Sequence, residues 1–201
     1  MKYITDINDL DLDGTYTYAD YLTWRFEQSV ELIKGKIFKM SPAPSEKHQR
    51  VSLEFLRYFL SHIKRDSPCR IYTAPFDVRL LDKKKSSKAN QEVYTVVQPD
   101  ICVICDKTKL DEKGCIGAPD LIVEILSPGN SKKEMKTKYA LYEEAGVLEY
   151  WIVFPSEHVL QQFVLNEQGK YALKNSFTED EVFNAHIFPD LQIDLAEIFE
   201  E

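Results

Sequence analysis

The chain has 201 residues, 44% of them hydrophobic and 29% charged, with a formal net charge of −8. These figures suit a soluble protein with a real core and exclude a disordered, low-complexity chain, while the acidic balance opposes simple tracking along a phosphate backbone. The amino terminus, Met1 to Asp6, lacks the basic-then-apolar order of a signal peptide, and no apolar run approaches the ~20 residues of a membrane span, so a cytoplasmic protein without membrane contact is expected.

In chain order, Thr17 with Asp20 three residues later reads as a capping box opening a short helix through about Phe26. Val30–Ile33 and Lys36–Met40 read as a hairpin turning at Lys34-Gly35, and Ser41-Pro42-Ala43-Pro44 breaks the chain. Ser45 caps a helix to about Lys64, because Val51, Phe55, Leu56, Phe59, Leu60 and Ile63 recur at three and four residues. A strand is expected from Arg70 to Leu81, a polar connection from Asp82 to Glu92, and a strand from Val93 to Cys105 interrupted by Pro99, which lacks the donor a central ladder needs. Asp106 to Gly117 reads as a polar loop and Asp120 to Leu126 as an apolar strand. Ser131 to Ala145 reads as a helix capped by Gly146, and Glu149 to Phe154 as a buried strand. Strand, helix, strand is a βαβ crossover, so those two strands should be parallel. A hairpin turning at Gln168-Gly169 and a short helix, Leu195 to Phe199, complete the chain. Residues 1–201 read as one domain of mixed α/β (α+β) class, with a C-terminal hairpin and tail from about residue 157.

Four cysteines, Cys69, Cys102, Cys105 and Cys115, are irregularly spaced, which favours free thiols over a disulfide framework. Cys102 and Cys105 spell C-x-x-C, but on a strand an odd separation points them to opposite faces, so they could not share a zinc ion. Lysines cluster at Lys83, Lys84, Lys85 and Lys88, and again at Lys132, Lys133, Lys136 and Lys138.

One carboxylate stands out. Glu124 interrupts Leu121-Ile122-Val123-Glu124-Ile125-Leu126, and a buried charge costs several kcal/mol unless a lysine or a metal ion compensates it. Asp100 opens a second apolar strand at the irregularity made by Pro99. On the helix after Glu124, Met135, Tyr139 and Tyr142 form a stripe at ~100° per residue, and Lys138 projects within about 40° of its centre, toward the sheet; the bland alternative is a lysine snorkelling at the stripe's edge. Asp120, beside Pro119, reads as a strand-end or turn acceptor and Asp190 as turn punctuation. Two acids on adjacent strands repel unless one is protonated or a divalent cation lies between them, and oxygen-only ligation suits Mg2+ or Mn2+ better than zinc.

Asp100, Glu124 and Lys138 resemble the signature of the PD-(D/E)xK nuclease superfamily, whose core is a restriction-endonuclease-like mixed sheet flanked by helices. The strings Val30 to Lys36, Gln98 to Ile104, Ala118 to Pro128 and Lys138 to Val153 resemble one branch more closely, the Uma-type endonucleases, over roughly residues 16 to 165. The resemblance implies Asp100 and Glu124 as metal ligands, Lys138 as the lysine moved from strand to helix, Glu31 as an additional catalytic acid near the metal, and His48 as a residue touching phosphate or a ligand carboxylate. Leu126 occupies the superfamily's usual lysine position, and Lys34 stands where the branch often has an acid. DNA is the implied substrate, Mg2+ or Mn2+ the implied cofactor, and a homodimer the simplest way to cut both strands. Two other readings remain open: a catalytically inactive nuclease-fold module that binds DNA or protein, consistent with the acidic charge, and a zinc or redox protein using Cys102 and Cys105.

Overall fold

The structure is a computed structural model that describes residues 3–40, 43–81, 92–127 and 132–200, with the backbone alone for residues 132–134. The lysines Lys83, Lys84, Lys85 and Lys88 and the side chains of Lys132 and Lys133 lie outside the described residues, and Lys136 is exposed. Two mixed six-stranded sheets carry the chain. In the first, β1 (Val30–Ile33) and β2 (Lys36–Lys39) form the expected hairpin, with Lys34 and Gly35 at φ of 50° and 82°. Positive φ at both turn residues gives a two-residue turn the twist of its strands. The sheet continues from β1 through β5 (Val96–Val97), β4 (Val78–Arg79), β8 (Gly114–Ile116) and β7 (Leu110–Asp111).

The second sheet runs β12 (Tyr171–Thr178), β11 (Val159–Leu165), β10 (Glu149–Phe154), β9 (Leu121–Ile125), β6 (Ile101–Ile104) and β3 (Arg70–Thr73). As the crossover requires, β9 and β10 are parallel, with Glu124 opposite Ile152, and α3 (Lys132–Ala145) connects them. Gly146, at φ 89°, donates its amide to the Tyr142 carbonyl and closes that helix.

Strand alternation sorts the second sheet into two faces. Ile101, Val103, Leu121, Val123, Ile125 and Trp151 pack against Val51, Phe55 and Phe59 of α2 (Glu46–His62) and against Ile198 and Phe199 of α4 (Leu195–Phe199). A small hairpin, β13 (Val182–Asn184) and β14 (Gln192–Asp194), adds Phe183 and Ile193 to that layer. Cys102, Ile104, Ile122 and Tyr150 face the other way, against Leu141 and Tyr142 of α3 and Val78, Val97 and Cys115 of the first sheet. Glu124 has the parity of Ile122, so its carboxylate enters the layer between α3 and the two sheets. A third cluster, with Tyr18, Trp24, Leu32 and Val96, seats the N-terminal segment on β1 and β5.

The structure corrects several expectations. The capping box of Thr17 and Asp20 is present, but α1 (Tyr18–Tyr21) stops after four residues. Trp24 instead bridges Ile4 and stacks with Phe26, so tertiary contacts outweigh helix propagation. The strand expected from Arg70 to Leu81 splits at Ala74-Pro75 into β3 and β4, and the one from Val93 to Cys105 splits at Pro99 into β5 and β6; in both cases the halves enter different sheets. The polar stretch from Asp106 to Gly117 holds β7 and β8, paired as a hairpin. Cys69 and Cys105 form a disulfide instead of remaining free thiols. The β3–β6 register explains it: Arg70 lies opposite Ile104, which brings the flanking Cys69 and Cys105 face to face across the ladder.

Candidate active site

Five side chains from five elements meet where the two sheets and α3 converge. Pro99 interrupts the ladder between β6 and β9, and the carboxylate of Asp100 supplies the missing acceptor: Ile125 donates its amide to Asp100 Oδ2 at 2.7 Å. With Ile101 opposite Val123, Asp100 falls opposite Glu124. Glu31 comes from β1 and Lys138 from the second turn of α3, and both are buried.

Lys138 stands at the centre. Its ammonium donates to the two oxygens of Glu124 at 3.0 and 3.1 Å and forms an ion pair with Glu31 Oε1 at 3.1 Å. Tyr142, one turn further along the helix, donates its hydroxyl to Glu124 Oε1 at 2.6 Å. The Gln98 amide donates to Glu31 Oε1 at 2.9 Å. Lys138 and Glu124 are each only 8% exposed, a depth at which an unpaired charge would be strongly unfavourable.

The electrostatics follow from one ammonium serving several acids. Burial raises the Glu124 carboxyl; Lys138 pulls it back, but Asp100 and Glu31 push it up again, and it comes to about 7. Burial opposes the charge on Lys138, yet Glu124 and Glu31 outweigh it and hold the ammonium above its ordinary value. His48, buried on the first turn of α2, lies 3.3 Å by Nε2 from Asp100 Oδ2. Burial works against the imidazolium, but the Asp100 contact wins and its pKa lies above the ordinary histidine value. Among the described residues His48 Nδ1 is buried without a hydrogen-bond partner.

Comparison with known proteins shows the family. Residues 18–196 match the Uma2 family model, described as "Putative restriction endonuclease". The chain belongs to the Uma2 family. It is 25% identical over 164 residues to an uncharacterized Synechocystis protein, slr1290, covering 80% of each chain. A crystal structure from Anabaena variabilis, titled as that of a "putative nuclease belonging to DUF820", shares the fold with a TM-score of 0.70 at 21% identity, over 92% of this chain and 97% of the other. The restriction-endonuclease-like α+β class is thereby established.

The fold brings together Glu31, Asp100, Glu124, Lys138 and His48, all named from sequence. Among the described residues, no three acidic, histidine or cysteine side chains are already drawn to metal-ligand spacing, since the ammonium occupies the middle of the group. The donors nonetheless fit a hard divalent cation, because they are carboxylate oxygens carrying more negative charge than one lysine neutralises. Tyr142 and Gln98 were not named as site residues. Tyr142 read as part of the apolar stripe, and its position four residues after Lys138, on the same helix face, was the available signal. Gln98 also links the site to Asp77, to which its side-chain amide donates at 2.9 Å and which accepts from Tyr18 and Tyr21 as well.

The remaining candidates are structural. Asp120 accepts the Cys105 amide at 2.7 Å, a strand-end acceptor as expected, and Asp190 is exposed in a turn. Leu126 packs in the apolar layer and Lys34 pairs with Glu144 at the surface. Cys102 and Cys105 pack on opposite faces, and with Cys105 bonded to Cys69 they form neither a zinc pair nor a redox pair. Among the described residues no helix is long and apolar enough to cross a membrane.

Proposed function

We propose that this Uma2 protein is a divalent-metal-dependent endonuclease that hydrolyses DNA phosphodiester bonds. The observation that carries this reading is a buried ammonium shared by Glu31 and Glu124, with Asp100, just before β6, bonded to the amide of Ile125 next to Glu124. Asp100 and Glu124 are the proposed ligands of Mg2+ or Mn2+, and Glu31 is the additional acid that keeps Lys138 in place. When bound, the cation supplies positive charge against the phosphoryl oxygens during in-line attack. Lys138 retains its proton, and its ammonium orients the attacking water and offsets the charge that builds on the phosphate. His48 fixes Asp100 through Oδ2, which leaves Oδ1 for a cation. Cytoplasmic action as a homodimer on duplex DNA completes the proposal.

Plasmid cleavage with purified protein and Mg2+ or Mn2+ tests it. Asp100→Asn and Lys138→Met should each lower the rate by about 100-fold or more, the scale on which lost electrostatic stabilisation is felt. Cleavage that survives both substitutions would discard the reading. The acidic net charge of −8 favours a second one, an inactive nuclease-fold module that binds DNA or protein. That reading expects no cleavage by the wild type and little stabilisation by millimolar Mn2+.

A further inference from the structure

Two of the three acids are gripped through one oxygen. Asp100 receives Ile125 N–H and His48 on Oδ2, and Glu31 receives Gln98 N–H and Lys138 on Oε1. Glu124 needs a further device, because Lys138 reaches both of its oxygens and so does not distinguish them. A carboxylate oxygen has two lone pairs. Lys138 and Tyr142 together fill those of Oε1, whereas Oε2 carries Lys138 alone and keeps one lone pair free among the described residues. We infer that Tyr142 is a positioning residue that commits Glu124 to present Oε2 to the cation, a role that rests on the metal-dependent reading above.

The rest of the geometry suits such a role. Tyr142 is fully buried, sits on the same helix as Lys138, and packs edge-on against Tyr150 with ring centroids 5.1 Å apart. Its ring therefore cannot swing away when a cation arrives, and its hydroxyl continues to occupy Oε1. Without that hydroxyl both oxygens would compete for the ion, and Glu124 would lose the single orientation that pairs with Asp100 Oδ1. Groups that orient a ligand from behind typically change metal affinity by about 10- to 100-fold.

The test compares wild type, Tyr142→Phe and Tyr139→Phe by Mn2+ titration, using calorimetry and thermal shift. Tyr139 lies on the same helix, but its hydroxyl is 3.5 Å from the Tyr171 carbonyl and bonds no site acid. Tyr142→Phe should weaken Mn2+ binding about tenfold, and its cleavage should need correspondingly more Mn2+, with most of the lost rate restored at high ion. Tyr139→Phe should bind Mn2+ as wild type does. Equal affinity in Tyr142→Phe and wild type, or an equal loss in both variants, overturns the inference and leaves the metal reading standing. A wild type that binds no Mn2+ overturns the metal reading and the inference with it. Independently of any variant, anomalous density from a Mn2+-soaked crystal should lie against Glu124 Oε2; an ion on Oε1 refutes the assignment.

Discussion

Two neighbouring strands each bury a glutamate, and the protein resolves the two burials in opposite ways. Glu149 on β10 has no exposure, yet among the described residues no cation pairs with it. Its Oε1 accepts from Trp151 Nε1 at 2.7 Å, Gln162 Nε2 at 2.6 Å and the His186 amide at 2.9 Å, and its Oε2 accepts from the Ile187 amide at 2.9 Å. Four neutral donors, three on Oε1 and one on Oε2, satisfy this carboxylate and knit β10, β11 and the 186–187 bend together. Glu124 on β9 is instead held by a charged lysine and a phenol, beside two more acids that raise its pKa. A buried acid is therefore not itself a sign of chemistry. What distinguishes Glu124 is crowding by like charge around a shared ammonium.

The strongest way to break this contrast is Glu149→Ala. It leaves four buried donors without an acceptor, and a loss of about 4 kcal/mol of folding stability is expected from unsatisfied groups of this kind. Urea denaturation measures it. Protein that remains folded should bind Mn2+ with wild-type affinity, and a parallel loss of Mn2+ binding would show that both glutamates serve one site. A somewhat smaller effect is expected at the far end of β6. Asp100 precedes that strand and Cys105 follows it, so the Cys69–Cys105 disulfide fastens the end remote from the acids. It joins residues 36 apart in sequence, and the double substitution Cys69→Ala/Cys105→Ala should cost about 3 kcal/mol. Mn2+ affinity should again be unchanged in a calorimetric titration.

These two regions also show what the sequence made legible. Asp100, Glu124 and Lys138 could be read because strand parity and helix periodicity dictate direction, and direction was what their meeting required. Glu31 and His48 came through the family resemblance, since nothing in their own segments marked them. The partners of Glu149 could not be read, because Trp151, Gln162 and residues 186–187 meet only through the β10–β11 register and a distant turn. The disulfide was hidden for the same reason: Cys69 faces Cys105 through a pairing that no local pattern reveals. Pro99 did mark a break whereas Pro75 was read through, and a missing donor tells where a ladder stops but not which sheet the next strand joins.

The smallest expected effect sharpens the contrast through pH. Glu124, raised from an ordinary 4.5 to about 7 chiefly by burial, holds in the folded protein a proton that the unfolded chain has already released. Between those values the folded state binds more protons, so this group's contribution to stability falls as pH rises from about 4.5 to about 7 and is level above that. Most carboxylates behave in the opposite sense, because their partners lower their pKa. Cation binding must run against the same proton, since a ligand carboxylate has to be ionised. Mn2+ affinity should therefore weaken by up to about tenfold for each pH unit below 7 and be flat above it. Lys138, held above its ordinary value, stays charged throughout and adds no slope of its own in this range. Calorimetric Mn2+ titrations at several pH values from acid to mildly alkaline would follow it. An affinity that does not change across pH 7 would mean that Glu124 is already ionised well below it, and that the crowding of acids around Lys138 leaves no mark on the site.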